Sequence, residues 1–194
     1  MATRNFRELC ELQWEQDNFV CVGLDSDEQK IPKSIKRRGY SRGGTVLAFN
    51  KAIVEKTADV AWGYKPNIAY YEALGPRGIE ALIQTVEFIN NYAPEKPVIL
   101  DEKRADIGST NLGYVTAAFE QYGVDAVTVH PYLGEEALRP FLDRQEREII
   151  VLCRTSNPGA GEFQDLKVLP YNLPLYRVVA RRVAVAWNKK GDAR

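Results

Sequence analysis

The strongest constraint on the fold is a repeated alternation along the chain. Short apolar runs alternate with longer segments whose apolar residues recur at helical spacing. Residues 19–25 (FVCVGLD), 62–71, 97–101 (PVILD), 124–132 and the start of 147–161 read as five strands. Between them, Val46, Phe49, Ile53 and Val60 mark a helix over 45–60, with Thr45 as its candidate N-cap. Ile79, Leu82, Ile83, Val86 and Ile89 form the stripe of a second helix, and Leu112, Val115 and Phe119 that of a third. A short helix follows at GEEALRPFLDR and a fifth at 175–190. Strands separated by helices of this length imply βαβ units, a parallel sheet and right-handed crossovers.

Two architectures fit this pattern. A (β/α)₈ barrel needs eight units and about 250 residues, whereas a doubly wound sheet closes with five or six strands. The 194 residues favour the open sheet, and the placement of charge favours the barrel. No linker or low-complexity segment divides the chain, so residues 1–194 read as one domain. The one break is the basic run IPKSIKRRGYSRGG at 31–44, either solvated surface or a lid near a phosphate. A formal net charge of zero offers no electrostatic attraction for nucleic acid or an anionic membrane. No apolar run approaches the roughly 18–20 residues of a membrane helix, and the charged N-terminus lacks the apolar core of a signal peptide. Cys10, Cys21 and Cys153 are far apart and form no CxxC pair, which fits reduced thiols in a cytoplasm rather than disulfides or a zinc site.

Nearly every predicted strand ends in a polar or ionisable residue: Asp25, Lys65, Asp101, His130, and Ser156 just beyond the fifth. In a parallel α/β protein all strand C-termini lie on one face, where sites form. The stretch LDEKRADIGST is the most informative. If extended geometry continues, Asp101 and Lys103 share a side and Glu102 points the other way. Lys65, at the end of the neighbouring strand, completes a Lys–Asp–Lys array in which each charge holds its neighbour ionised. Unrelated strand-end surface charges fit the spacing equally well. His130 is the only histidine, and structural and cleft-facing roles both stand for it. No GxSxG elbow, HExxH, P-loop or GxGxxG is present.

Taken together, these segments resemble orotidine 5′-phosphate decarboxylase. DEKRADIGST matches that family's DxKxxDI signature through Asp101, Lys103, Asp106 and Ile107. VGLDSD resembles its first-strand motif, GYKPNIAYYEALG its second, and CRTSNPGAGEFQDL its fifth-strand loop. The wording is nearest to the bacterial type 2 subgroup, and the likeness runs through residues 5–190 in order. The resemblance implies a (β/α)₈ TIM barrel, five of whose eight units lie in this chain. It implies a homodimer that decarboxylates orotidine 5′-monophosphate to uridine 5′-monophosphate without metal or organic cofactor. Lys103 would then protonate C6, Asp101 would face the departing carboxylate, and Lys65 would hold Asp101 and the ribose hydroxyls. Asp106, with Ile107 and Thr110, would reach the partner's site, Asp25 would bind ribose, and Ser156 the pyrimidine edge.

The family continues into strands six to eight, with a Gln and an Arg that grip the phosphate. The expectation is therefore a C-terminally truncated product that binds phosphate weakly, with its stability and activity alone left open. Two alternatives stand beside the decarboxylase: a non-catalytic vestigial protein, and a Mg²⁺-dependent sugar-phosphate relative. The latter places a metal-binding Glu on the second strand where Lys65 stands here, a cation that repels a metal.

Overall fold

The computed structural model describes residues 4–36 and 39–188. Arg37 and Arg38 of the basic run, and the last two residues of the predicted 175–190 helix, lie outside them. The chain opens on α1 (Phe6–Glu15), capped by the Asn5 side chain, which accepts from the Arg7 and Glu8 amides. Five strands follow: β1 (Val20–Leu24), β2 (Ala61–Pro66), β3 (Ile99–Arg104), β4 (Ala126–Val129) and β5 (Glu148–Val151). β1 pairs with β2, and β3 with β4 and β4 with β5, every pairing parallel. Two parallel bridges, Tyr64 to Val98 and Asn67 to Asp101, join β2 to β3. The strands thus stand side by side in chain order. A doubly wound sheet reverses its order at a switch point; an unbroken sequence is the wall of a barrel.

The helices α2 (Arg42–Thr57), α3 (Ile68–Glu72), α4 (Pro76–Tyr92), α5 (Gly108–Val115) and α6 (Gly134–Leu142) pack outside this wall; the short α7 (Gly161–Gln164) and α8 (Leu175–Arg182) follow the fifth strand and pack against each other. A two-stranded antiparallel hairpin, β6 (Lys167–Val168) with β7 (Leu173–Pro174), precedes α8. Leu24, Tyr64, Leu100, Val127 and Val129 from the strands are fully buried, as are Val54, Leu82, Val86 and Leu138 from the helices. Gly63 governs one close approach. A Cβ there would fall 2.6 Å from the Pro97 carbonyl oxygen, so only glycine lets β2 close on the start of β3.

Several local expectations are corrected. α2 begins at Arg42, and Ser41, not Thr45, is its N-cap, accepting from the Gly44 amide. Thr45 is buried one turn inside. The same helix ends at Thr57, which leaves Val60 exposed. The second strand stops at Pro66, where Asn67 caps α3 through the Ala69 amide. Tyr71 of α3 is wholly buried, so its apolar residues serve a helix rather than a longer strand. Leu112 is exposed; the buried face of that helix is Asn111, Val115, Ala118 and Phe119.

At the N-terminal end of the strands a buried carboxylate ties four segments together. Asp125, with no solvent exposure, accepts from Arg4 Nε and Nη2 at 2.8 Å each, from Arg147 Nη1 at 3.2 Å and from the Val98 amide at 2.9 Å. Removing one partner of a buried ion pair strands the others. Asp125→Ala is expected to lower unfolding free energy by about 3–5 kcal/mol in urea titrations. A loss of under about 1 kcal/mol, the value of an exposed pair, would show that the cluster does not hold the wall.

Candidate active site

The parallel wall brings β2, β3 and β4 together at their C-terminal ends, and there the charges meet. Asp101 Oδ1 accepts from Lys103 Nζ at 2.5 Å and from Thr128 Oγ1 at 2.9 Å. Its Oδ2 accepts from Lys65 Nζ at 3.1 Å. The Asp101 side chain is 11% exposed, against 32% for Lys65 and 49% for Lys103, so the carboxylate is the inner member and the ammonium groups face the opening. Burial alone would raise the Asp101 pKa. The hydrogen bonds from Lys103, Lys65 and Thr128, with the charge of Lys65, outweigh it and hold the carboxyl below its ordinary value. The group is therefore an anion at neutral pH, with two cations fixed on it.

Asp101 and Lys103 do share a side, but not through extended geometry. β3 bulges: Leu100 faces Val127 and Arg104 faces Val129, so residues 101–103 stand opposite Thr128 alone. Lys103 takes a left-handed φ of +48°, costly for a side-chain-bearing residue. The turn swings its ammonium back onto Asp101.

Glu102 points away from this array and is buried rather than solvated, its side chain 1% exposed. Neither carboxyl oxygen receives a hydrogen bond. Arg104 Nη1 stands 3.4 Å away, while the same guanidinium bonds Glu72 of α3 and lies 5.0 Å from the Tyr114 ring centroid. Burial pushes the Glu102 carboxyl up to about 7, with Arg104 opposing and Glu72 adding to the rise.

The other candidates are positioned by buried amides and hydroxyls. Asp25 lies exposed between two anchored neighbours. Tyr71 Oη donates to the Leu24 carbonyl at 3.1 Å, and Ser26 Oγ donates to Asn50 Oδ1 at 2.5 Å. Asn50 Nδ2 reaches Tyr71 and Thr85, so α2, α3 and α4 jointly fix the exit of β1. Asp106 sits in the loop between β3 and α5. The buried Asn111 builds that loop, accepting from the Asp106 amide at 2.9 Å and donating to its carbonyl at 2.7 Å. Asp106 Oδ1 accepts from the Ile107 amide, and among the described residues Asp106 forms no ion pair with Lys65 or Lys103. Ile107 and Thr110 are exposed beside it. Ser156 is exposed in the loop after β5, before the turn Pro158–Ala160. His130 is half-buried, its amide donating to the Arg104 carbonyl. Lys65, Asp101 and Lys103 are thus in contact, while Asp25, Asp106, Ile107 and Ser156 stand on loops at strand ends and Thr110 in the first turn of α5. Sequence reasoning missed Thr128, Asn111 and Asn50. Thr128 carries a signal, as the one polar residue in the otherwise apolar run AVTV.

A parallel β/α wall in sequential order, with a charged array at its strand ends, defines a barrel protein of the TIM type. This chain belongs to the Orotidine 5'-phosphate decarboxylase / HUMPS family, which it matches over residues 18–191. It is 48% identical over 187 residues to orotidine 5'-phosphate decarboxylase of Thermomicrobium roseum, covering 96% of this chain and 64% of the relative. It is 45% identical over 169 residues to the Herpetosiphon aurantiacus protein of the same name, covering 87% and 60%. The chain therefore spans under two thirds of the length of these relatives. The solved OMP decarboxylase of Leishmania donovani superposes with a TM-score of 0.83 at 32% identity, over 97% of this chain and 68% of that one. Among the described residues no helix is long and apolar enough to cross a membrane.

The raised Glu102 carboxyl has a consequence for stability. Between its usual value of 4.5 and about 7 the folded protein holds a proton that the unfolded chain releases. This group's contribution therefore falls as pH rises through that window and levels off above it. Glu102→Gln is expected to flatten the decline, because the variant has no proton to lose at this position across the window. Denaturant melts at intervals across the window measure it; a parent and variant with parallel profiles would refute it.

Proposed function

We propose that this chain carries the decarboxylating centre for orotidine 5′-monophosphate, releasing CO₂ and uridine 5′-monophosphate in pyrimidine nucleotide synthesis. The observation that carries this reading is Asp101 held between Lys65 at 3.1 Å and Lys103 at 2.5 Å. Cleavage of the bond from C6 to the carboxylate leaves an electron pair at C6 with no conjugated sink. The Lys103 ammonium, fixed before the reaction and oriented by Asp101, stabilises that charge and delivers its proton to C6. The neutral amine regains a proton from solvent, to which Lys103 is open. Asp101 holds the Lys103 ammonium in place in the free protein and stands against the departing carboxylate. Lys65 balances Asp101 and binds ribose hydroxyls.

In this reading Asp25 binds ribose and Ser156 the pyrimidine edge. The outward loop of Asp106, with Ile107 and Thr110, serves a second copy in a homodimer. Exposed apolar side chains in the same part of the chain, Ile107 and Leu112 at 59% each and Tyr132 at 93%, support such a partner face. Reduced Cys10, Cys21 and Cys153 fit a cytoplasmic setting. The metal-dependent sugar-phosphate reading is disfavoured because both Asp101 oxygens already hold ammonium donors, which a divalent cation would have to displace.

Turnover of orotidine 5′-monophosphate by the chain tests the proposal. Activity is expected to resist EDTA and to fall about 10³-fold in Lys103→Ala, the size of a lost proton donor, with uridine 5′-monophosphate binding retained. EDTA-sensitive turnover, or a Lys103→Ala variant as active as the parent, would overturn it.

A further inference from the structure

We infer that Thr128 is a positioning residue for the Asp101–Lys103 pair, its hydroxyl closing the β3 bulge and orienting the carboxylate toward the ammonium. The inference rests on the decarboxylase reading only in calling that pair the reacting one.

The bulge sets the problem. Three residues of β3, 101–103, face the single residue Thr128 of β4, so the strand ladder cannot supply partners for all of their amides. The Glu102 and Lys103 amides instead donate to Thr128 Oγ1, at 3.0 and 2.9 Å. A hydroxyl has two acceptor sites and one hydrogen. With both acceptor sites taken by amides, the hydrogen has one destination, Asp101 Oδ1 at 2.9 Å. The capacity of the hydroxyl is therefore filled and its direction forced. One buried side chain, 7% exposed, fixes the backbone of Lys103 in its left-handed conformation and the carboxylate that holds the Lys103 ammonium. The same oxygen of Asp101 receives Thr128 and Lys103, so a rotation of the carboxylate away from Thr128 also loosens Lys103.

Val is isosteric with Thr but can neither accept from the amides nor donate to Asp101; Ser keeps the hydroxyl and loses only a methyl group. Amide hydrogen exchange followed by NMR reads the positioning without activity. In Thr128→Val, exchange at the Glu102 and Lys103 amides is expected to speed up by about tenfold or more, with Thr128→Ser within about threefold of the parent. Orotidine 5′-monophosphate kinetics read the consequence: in the Val variant kcat falls about tenfold or more while uridine 5′-monophosphate affinity changes by under about threefold, and Ser restores kcat. Losing the Thr128 bond also moves the acid limb of the rate profile upward, because that bond helps hold Asp101 ionised. If Thr128→Val does not fold, Thr128→Ala, in which water can reach both amides, is read in its place for kcat and for the acid limb. Parent-like exchange at both amides, or a folded variant lacking the hydroxyl with parent-like kcat and pH profile, would overturn the inference. A parent chain that turns over no substrate refutes the decarboxylase reading instead, and amide exchange then decides the role of Thr128 by itself.

Discussion

A carboxylate only 11% exposed, with an ammonium on each oxygen, sets the terms for everything around it. Withdrawing such a charge from water costs several kcal/mol, and the cost is offset only when its partners are close and well oriented. At Asp101 those partners come from three strands: Lys65 from β2, Lys103 from β3 itself, and Thr128 from β4. The array is therefore no more accurate than the register of three neighbouring strands. Gly63 lets β2 close on β3. The bulge then gives Lys103 the turn that a regular strand would deny it.

Stability and chemistry are divided between the two ends of the wall. At the N-terminal end, Asp125 binds Arg4 and Arg147, and Lys96, 2% exposed, donates to Gln13 at 2.6 Å. These contacts fasten α1 and the strand beginnings. At the C-terminal end the ionic contacts leave both lysines partly open to solvent and to a ligand. The separation follows from parallel topology, which sends every strand the same way and leaves each end a different task. Between them, the Asn50 network transmits the packing of α2, α3 and α4 to the exit of β1, where Asp25 stands.

Much of this was legible in the sequence, for physical reasons that differ by element. The long helix α4 was readable because its stripe from Ile79 to Ile89 repeats over three turns. The strand-end charges were readable because topology alone gathers them on one face. Short elements were not: α3 has five residues, and its Ile and Tyr side chains look the same buried beneath a helix or along a strand. Leu112 fitted the helical period, yet the buried place is held by Asn111, which the Asp106 loop needs as a hydrogen-bond partner. The contact between Asp101 and Lys103 followed from two-residue spacing, but the bulge and left-handed turn that create it did not, since only the register with β4 defines them. Glu102 read as an outward charge; that it is buried beside Arg104, whose guanidinium also meets Glu72 of α3 and Tyr114 of α5, is a matter of packing rather than pattern.

The central claim is that Asp101 is an anion fixed on two cations before any substrate arrives. Following the Asp101 carboxyl carbon by NMR through an acid titration of the free protein tests it most directly. The account predicts a midpoint below that of an ordinary aspartate, about 3.9. A midpoint above that value would contradict it.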